Sequence, residues 1–159
     1  IGTLQSNKVK YIIDKVEMIH SLDRISLAKE IDRRAKEIGV VMKCLIQVNI
    51  SQEESKHGLD KAEALKFIEE VAQNFSHIQV LGLMGMAPFV EDAEEARPYF
   101  RQLKGLFEEA KNLNLGTGQM KYLSMGMTND YTVAIEEGSN MVRVGTGIFG
   151  EREIGEERQ

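Results

Sequence analysis

One cysteine, Cys44, is too few for an intramolecular disulfide framework, and it fits a reducing, cytoplasmic setting. No Cys/His cluster is present, which leaves no basis for a structural zinc site. No apolar run approaches the length of a membrane span. Basic residues are not in excess. The 20 Lys and Arg against 25 Asp and Glu give a net charge of −5, which argues against a general nucleic-acid binder with a basic face. No Ser-His-Asp or Cys-His order is visible, so nucleophilic hydrolysis has no support. No stretch rich in Pro, Gly or Ser marks a linker, and no internal repeat is found. The 159 residues, 42% of them hydrophobic, therefore read as one domain with a sizeable core. The end of the chain is different in character. From Glu151 onward acids dominate, and residues 153–159 are expected to form an acidic, disordered tail beyond a domain of residues 1–152.

What the chain does have is an alternation of short β-branched runs and amphipathic stretches. Arg24 to Ile38 predicts a helix, with Ile25, Ala28, Ile31, Ala35 and Ile38 on one face and Gly39 as its stop. Asp60 is positioned to cap a second helix with Ala62, Leu65, Ile68, Ala72 and Phe75 on its core face. A third covers roughly 95–113, where Pro98 is tolerable only in the first turn. Strand candidates are Ile1–Gln5, Glu17–Ser21, Val40–Ile50, Ile78–Met86, Tyr122–Met125 and Met141–Val144. Val40–Ile50 is continuously apolar rather than alternating, which suits a parallel strand covered on both faces. Six strands, with no hairpin signal between neighbours, predict an α/β fold with a parallel sheet.

In such folds ligands bind at the C-terminal ends of the strands. Two segments fall there: Ser124-Met-Gly-Met-Thr128 and Arg143-Val-Gly-Thr-Gly147. Their glycines admit a close backbone approach to an anion, and Ser124, Thr128 and Thr146 add hydroxyls, so together they favour a phosphate site over simple turns. Arg143, between two valines in a strand, either pairs with a carboxylate or faces a ligand. Asn49, just inside a strand end, can line a pocket. The Glu53–Gly58 loop reads first as a solvated charged loop. Met84, Met86, Met125 and Met127 fill a core, or Met86 or Met125 packs on a flat ligand ring.

Five motifs occur in one order: Ile1-Gly-Thr-Leu-Gln-Ser-Asn-Lys8, Gln47-Val-Asn49 with Lys56-His-Gly58, Gly82-Leu-Met-Gly-Met86, Ser124-Met-Gly-Met127 and Arg143-Val-Gly-Thr-Gly-Ile-Phe-Gly150. Over residues 1–152 the chain closely resembles the pyridoxal-phosphate homeostasis proteins, the YggS/PROSC family, whose barrels are similar to the N-terminal domain of alanine racemase. The resemblance implies a TIM-type (β/α) barrel, here incomplete with six strand–helix units of eight, holding pyridoxal 5′-phosphate at its C-terminal mouth. It implies that Ser124, Gly145 and Thr146 hold the phosphate, that Arg143 faces the pyridine nitrogen, and that Met86 packs on the ring, with Asn49 and Lys56 on the mouth loops. In that family the Schiff-base lysine precedes the segment that opens at Ile1, so the chain is expected to be a fragment without it. Lys8 and Lys56 are then the only lysines placed for the mouth.

The implied function is binding and transfer of the cofactor in its homeostasis, without robust catalysis. The implied partners are cofactor-requiring apo-enzymes, and the full-length parent is expected to be a monomer. The rival is a barrel enzyme: a pyridoxal-phosphate-dependent amino-acid racemase, or a phosphosugar isomerase or aldolase.

Overall fold

The computed structural model describes residues 1–51, 57–116 and 118–150. The aliphatic runs become strands and the amphipathic runs become helices, in strict alternation. In chain order these are β1 Met18–Leu22, α1 Ile25–Glu37, β2 Met42–Val48, α2 Lys61–Asn74, β3 Ile78–Gly85, α3 Arg97–Ala110, β4 Tyr122–Met127, α4 Tyr131–Glu136, β5 Met141–Arg143 and α5 Thr146–Phe149. All neighbouring pairs are parallel, and the spatial order follows the chain, β1-β2-β3-β4-β5. Residues from β1 at one edge and β5 at the other line a common cleft, so the sheet is curled like part of a barrel wall.

Each strand divides its side chains between two faces. The outer face meets the helices in the main core. Cys44, Ile46 and Val48 of β2 lie there, with Ile31 of α1, Ile68 of α2 and Phe100 and Leu103 of α3. The inner face carries a smaller cluster of Leu45, Leu81 and Met84, flanked by Met18, Met86, Tyr122 and Met141. Among the described residues no helix is long and apolar enough to cross a membrane.

The sequence locates most elements to within a few residues. Gly39, at φ 70°, follows α1 in the left-handed conformation that suits glycine. Asp60 caps α2 by accepting from the Ala62 N–H at 3.4 Å, and Pro98 sits in the first turn of α3. Three expectations change. The sheet has five strands among the described residues, because Ile1–Gln5 joins no ladder. Leu4 is instead buried, and its carbonyl accepts from Arg24 Nη2 at 2.6 Å. The buried face of α2 is Ala64, Phe67, Ile68 and Val71, turned from the expected one so that the large Phe67 reaches the core. Ile38 lies beyond the end of α1 and is exposed. The expected tail, residues 153–159, lies outside the described residues.

Gly82 shows how closely the strands pack. A Cβ built there would stand 1.8 Å from the Tyr122 carbonyl oxygen of β4, so only glycine fits. The β2–β3 register shifts at this point, between Cys44 and Leu45.

Candidate functional site

The C-terminal ends of the strands open onto a cleft of about 1450 Å³. Its walls include His20 of β1, Met86 after β3, Thr128 and Asp130 after β4, and Arg143, Gly145 and Thr146 from β5 and the turn into α5. Sequence adjacency explains part of this convergence. A parallel sheet brings every strand's C-terminal end to one edge, and the curl turns those ends toward one another.

Arg143 is the cleft's principal charge. Two residues beyond Met141 of the inner cluster, it extends back across the sheet. Its Nη1 donates to Ser124 Oγ of β4 at 2.6 Å, and its Nη2 donates to the Gly85 carbonyl of β3 at 3.0 Å. Burial lowers its pKa, and the charge of Asp130 partly offsets this. Among the described residues no carboxylate is within ion-pair reach of it. The guanidinium has five N–H donors, so two protein contacts leave others for a ligand. Even a half-buried cation held only by neutral acceptors gains from a further acceptor or anion.

Beside Arg143 lies a small hydroxyl loop. The Gly147 N–H donates to Thr128 Oγ1 at 3.2 Å, and the Thr128 and Thr146 hydroxyls are 3.1 Å apart. Gly145 precedes the four-residue α5. The Thr146 hydroxyl donates to Thr128 as the Gly147 N–H does, so Thr128 accepts twice and its own proton is left for an anion.

His20 faces this site from the opposite sheet edge. Its Nδ1 is buried without a hydrogen-bond partner. Its pKa falls to about 4, first through burial and then through the positive charges of the terminal amine and Arg143. The ring is therefore neutral near pH 7.

The expected site residues separate. Met86, Arg143, Gly145 and Thr146 line the cleft. Ser124 is fully buried and holds Arg143. Asn49 does not line the cleft; its Oδ1 accepts from the Ser51 N–H at 3.2 Å and the Ser51 hydroxyl at 2.9 Å. Lys56, with Glu53 and Glu54, lies outside the described residues. Met125 is fully buried in the outer core, so it cannot pack on a ligand in the cleft. Lys8 stands over the Tyr11 ring, 5.8 Å from its centroid, and does not line the cleft. Sequence reasoning gave His20 no role. It counted Thr128 among the hydroxyls without ranking it with Thr146, although both end glycine-bearing strand segments.

A curled parallel sheet with a hydroxyl loop and a half-buried arginine at its C-terminal mouth defines a barrel-type α/β domain. The chain belongs to the family of the alanine racemase N-terminal domain, whose model matches residues 1–153. It is similar to the pyridoxal phosphate homeostasis protein of Aquifex aeolicus, 48% identical over 153 residues that make up 96% of this chain and 65% of the relative. Among solved structures, an unknown protein from Bifidobacterium adolescentis superposes with a TM-score of 0.87 at 41% identity, covering 94% of this chain and 59% of that one. PipY of Synechococcus elongatus, solved with PLP bound, superposes with a TM-score of 0.82 at 33% identity, covering 94% of this chain and 68% of that one. The chain thus spans just under two thirds of the length of the Aquifex protein.

Proposed function

We propose that this chain supplies the ring- and phosphate-holding wall of a pyridoxal 5′-phosphate site and serves in homeostasis of that cofactor. In this reading the cofactor is bound in the cytoplasm and yielded to apo-enzymes that require it, the full-length parent being a monomer. The observation that carries the reading is Arg143, a half-buried cation clamped by Ser124 and Gly85 with donors left for a ligand. The names of the Aquifex relative and of the PLP-bound PipY structure support the choice of cofactor.

The residues present fit the ring and the phosphate. Thr128, Thr146 and the Gly145–Gly147 backbone offer neutral donors at one end, with the Arg143 charge nearby. Met86 contributes an apolar, polarizable wall. Ser124 acts by orienting Arg143. Among the described residues no lysine lines the cleft, and the groups named here act by hydrogen bonds and packing.

When bound, pyridoxal phosphate brings a reactive aldehyde on an electron-withdrawing ring. Arg143 donates and does not accept, so it keeps the pyridine nitrogen as an unprotonated acceptor. That makes the ring a weaker electron sink than pairing with a carboxylate would, and it favours holding the cofactor over driving carbanion chemistry.

The test is equilibrium binding of pyridoxal phosphate to the chain and to its Arg143→Met variant. Losing a hydrogen bond from a charged group costs about 1.5–3 kcal/mol, so affinity should fall roughly 10- to 100-fold. Equal affinity in both proteins would refute the assignment.

A further inference from the structure

His20 is a polar side chain that the fold places in the cleft and leaves unserved. It projects from β1 into a lining that contains Arg143, and it also borders a second cleft at the other end of the inner face, with Lys43, Gln79 and Tyr122. Its Nδ1 is sealed from solvent and lacks a partner. Buried polar atoms are seldom left so, and the two tautomers differ in cost. A buried N–H with no acceptor forfeits a full hydrogen bond. A buried lone pair is the milder loss. The neutral ring therefore carries its proton on Nε2, and Nδ1 keeps the lone pair. The residue is only partly buried and no group among the described residues bonds Nε2, so this N–H is the edge of the ring available to the clefts. His20 is thus a fixed, uncharged donor on the wall facing β4 and β5.

This inference rests on the pyridoxal phosphate reading above and extends it to the ligand's remaining polar group. On the pyridoxal ring the nitrogen, the phosphate arm and the 3-hydroxyl occupy alternating positions. The nitrogen belongs to Arg143 and the phosphate arm to the hydroxyl loop, both on the β4–β5 side. The third position then points away from that side, toward the β1 edge. We infer that His20 is a further cofactor-contacting residue, donating from Nε2–H to the ionised 3-oxygen of pyridoxal phosphate. Its neutrality matters. A second cation facing Arg143 would be repelled, whereas a neutral donor stabilises the phenolate at no such cost.

Two probes test this: pyridoxal 5′-phosphate and its 3-O-methyl ether, which has no ionisable 3-oxygen. The unaltered chain should prefer the parent compound by about tenfold, the value of one hydrogen bond to a charged group. His20→Phe should bind the parent about tenfold more weakly and lose the preference, and His20→Gln, which retains a donor, should restore most of it. Absorbance titration of the bound parent should show the phenol ionising at higher pH in His20→Phe. If the unaltered chain binds both compounds equally, or if His20→Phe keeps the preference, His20 does not make this contact. If the unaltered chain binds neither, the pyridoxal reading itself falls, and this inference falls with it.

Discussion

Arg143 of β5 and Ser124 of β4 are joined by a 2.6 Å hydrogen bond, with Ser124 fully buried and accepting from the guanidinium. The strands are neighbours, and the Ser124↔Met141 register places the serine below the arginine's own row. Arg143 thus folds back over β4 before its second nitrogen reaches Gly85 on β3. Replacing Ser124 with Ala leaves a half-buried charge with one fewer acceptor. Stability should fall by about 1.5–3 kcal/mol, read as a lower urea midpoint with an unchanged slope. Ser124→Thr, which keeps the oxygen, should lose less.

Glycine positions provide a paired test of packing. Gly82→Ala sets a Cβ 1.8 Å from the Tyr122 carbonyl oxygen, where backbone rather than a flexible side chain must move. The expected cost is roughly 3 kcal/mol or more, with partial loss of folded protein. Gly105, within α3, has nothing within 4 Å of the added atom. Gly105→Ala should raise stability by about 0.5–1 kcal/mol through helix propensity and a less flexible unfolded chain. Thermal denaturation of both variants decides the matter, and equal effects would contradict the packing described.

The fold was legible because its signals are local and redundant. Gly39, Asp60 and Pro98 each mark a helix end through backbone geometry, and the continuous apolar run of β2 reflects burial on both faces. Errors arose where the answer lay in a distant partner. Ile1–Gln5 has strand-like residues, but strand identity needs a ladder, and its carbonyl at Leu4 is taken by the Arg24 side chain. Met125 and Met86 read alike in sequence, yet one side chain turns to the helices and the other to the cleft. The site was legible as two segments, since glycines and hydroxyls at strand ends are visible in order. That Ser124 serves the arginine while Thr128 meets Thr146 is a matter of side-chain geometry across strands. His20 carried no motif at all.

His20 also makes a pH prediction. Its folded pKa of about 4 lies below the ordinary value of 6.5, chiefly through burial. Folding therefore favours the neutral ring. Above pH 6.5 the ring is neutral in both states and its contribution is intact. As pH falls from 6.5 toward about 4, the unfolded chain binds a proton that the folded chain does not, and stability declines. The loss should be roughly 1–3 kcal/mol, complete near the folded pKa. The depressed carboxylates, such as Glu30 at about 2 beside Arg33 and Arg34, lose their contribution only below about 4.5, so the two windows are largely separate. Urea unfolding between pH 7 and 4.5 should show this slope in the unaltered chain and lack it in His20→Phe.

The hydroxyl loop makes the last prediction. If Thr128 and Thr146 hold a phosphate, their oxygens do different work. Thr128 Oγ1 is tied to the Gly147 N–H and to the Thr146 hydroxyl, which fixes its orientation. Thr146 begins α5 and donates its hydroxyl proton to Thr128, so Thr128, which also lines the cleft and accepts twice, keeps its own proton free to meet an anion. Thr128→Val should remove that donor and weaken pyridoxal phosphate binding about tenfold, while binding of pyridoxal, which lacks the phosphate, should be unchanged. Thr146→Val should weaken phosphate binding by a smaller factor, because Thr128 keeps its hydroxyl but loses one of the two donors that align it. Serine at either position retains the oxygen and should restore affinity. Isothermal titration with the two ligands separates the cases, and an equal loss for pyridoxal would place the phosphate elsewhere in the cleft.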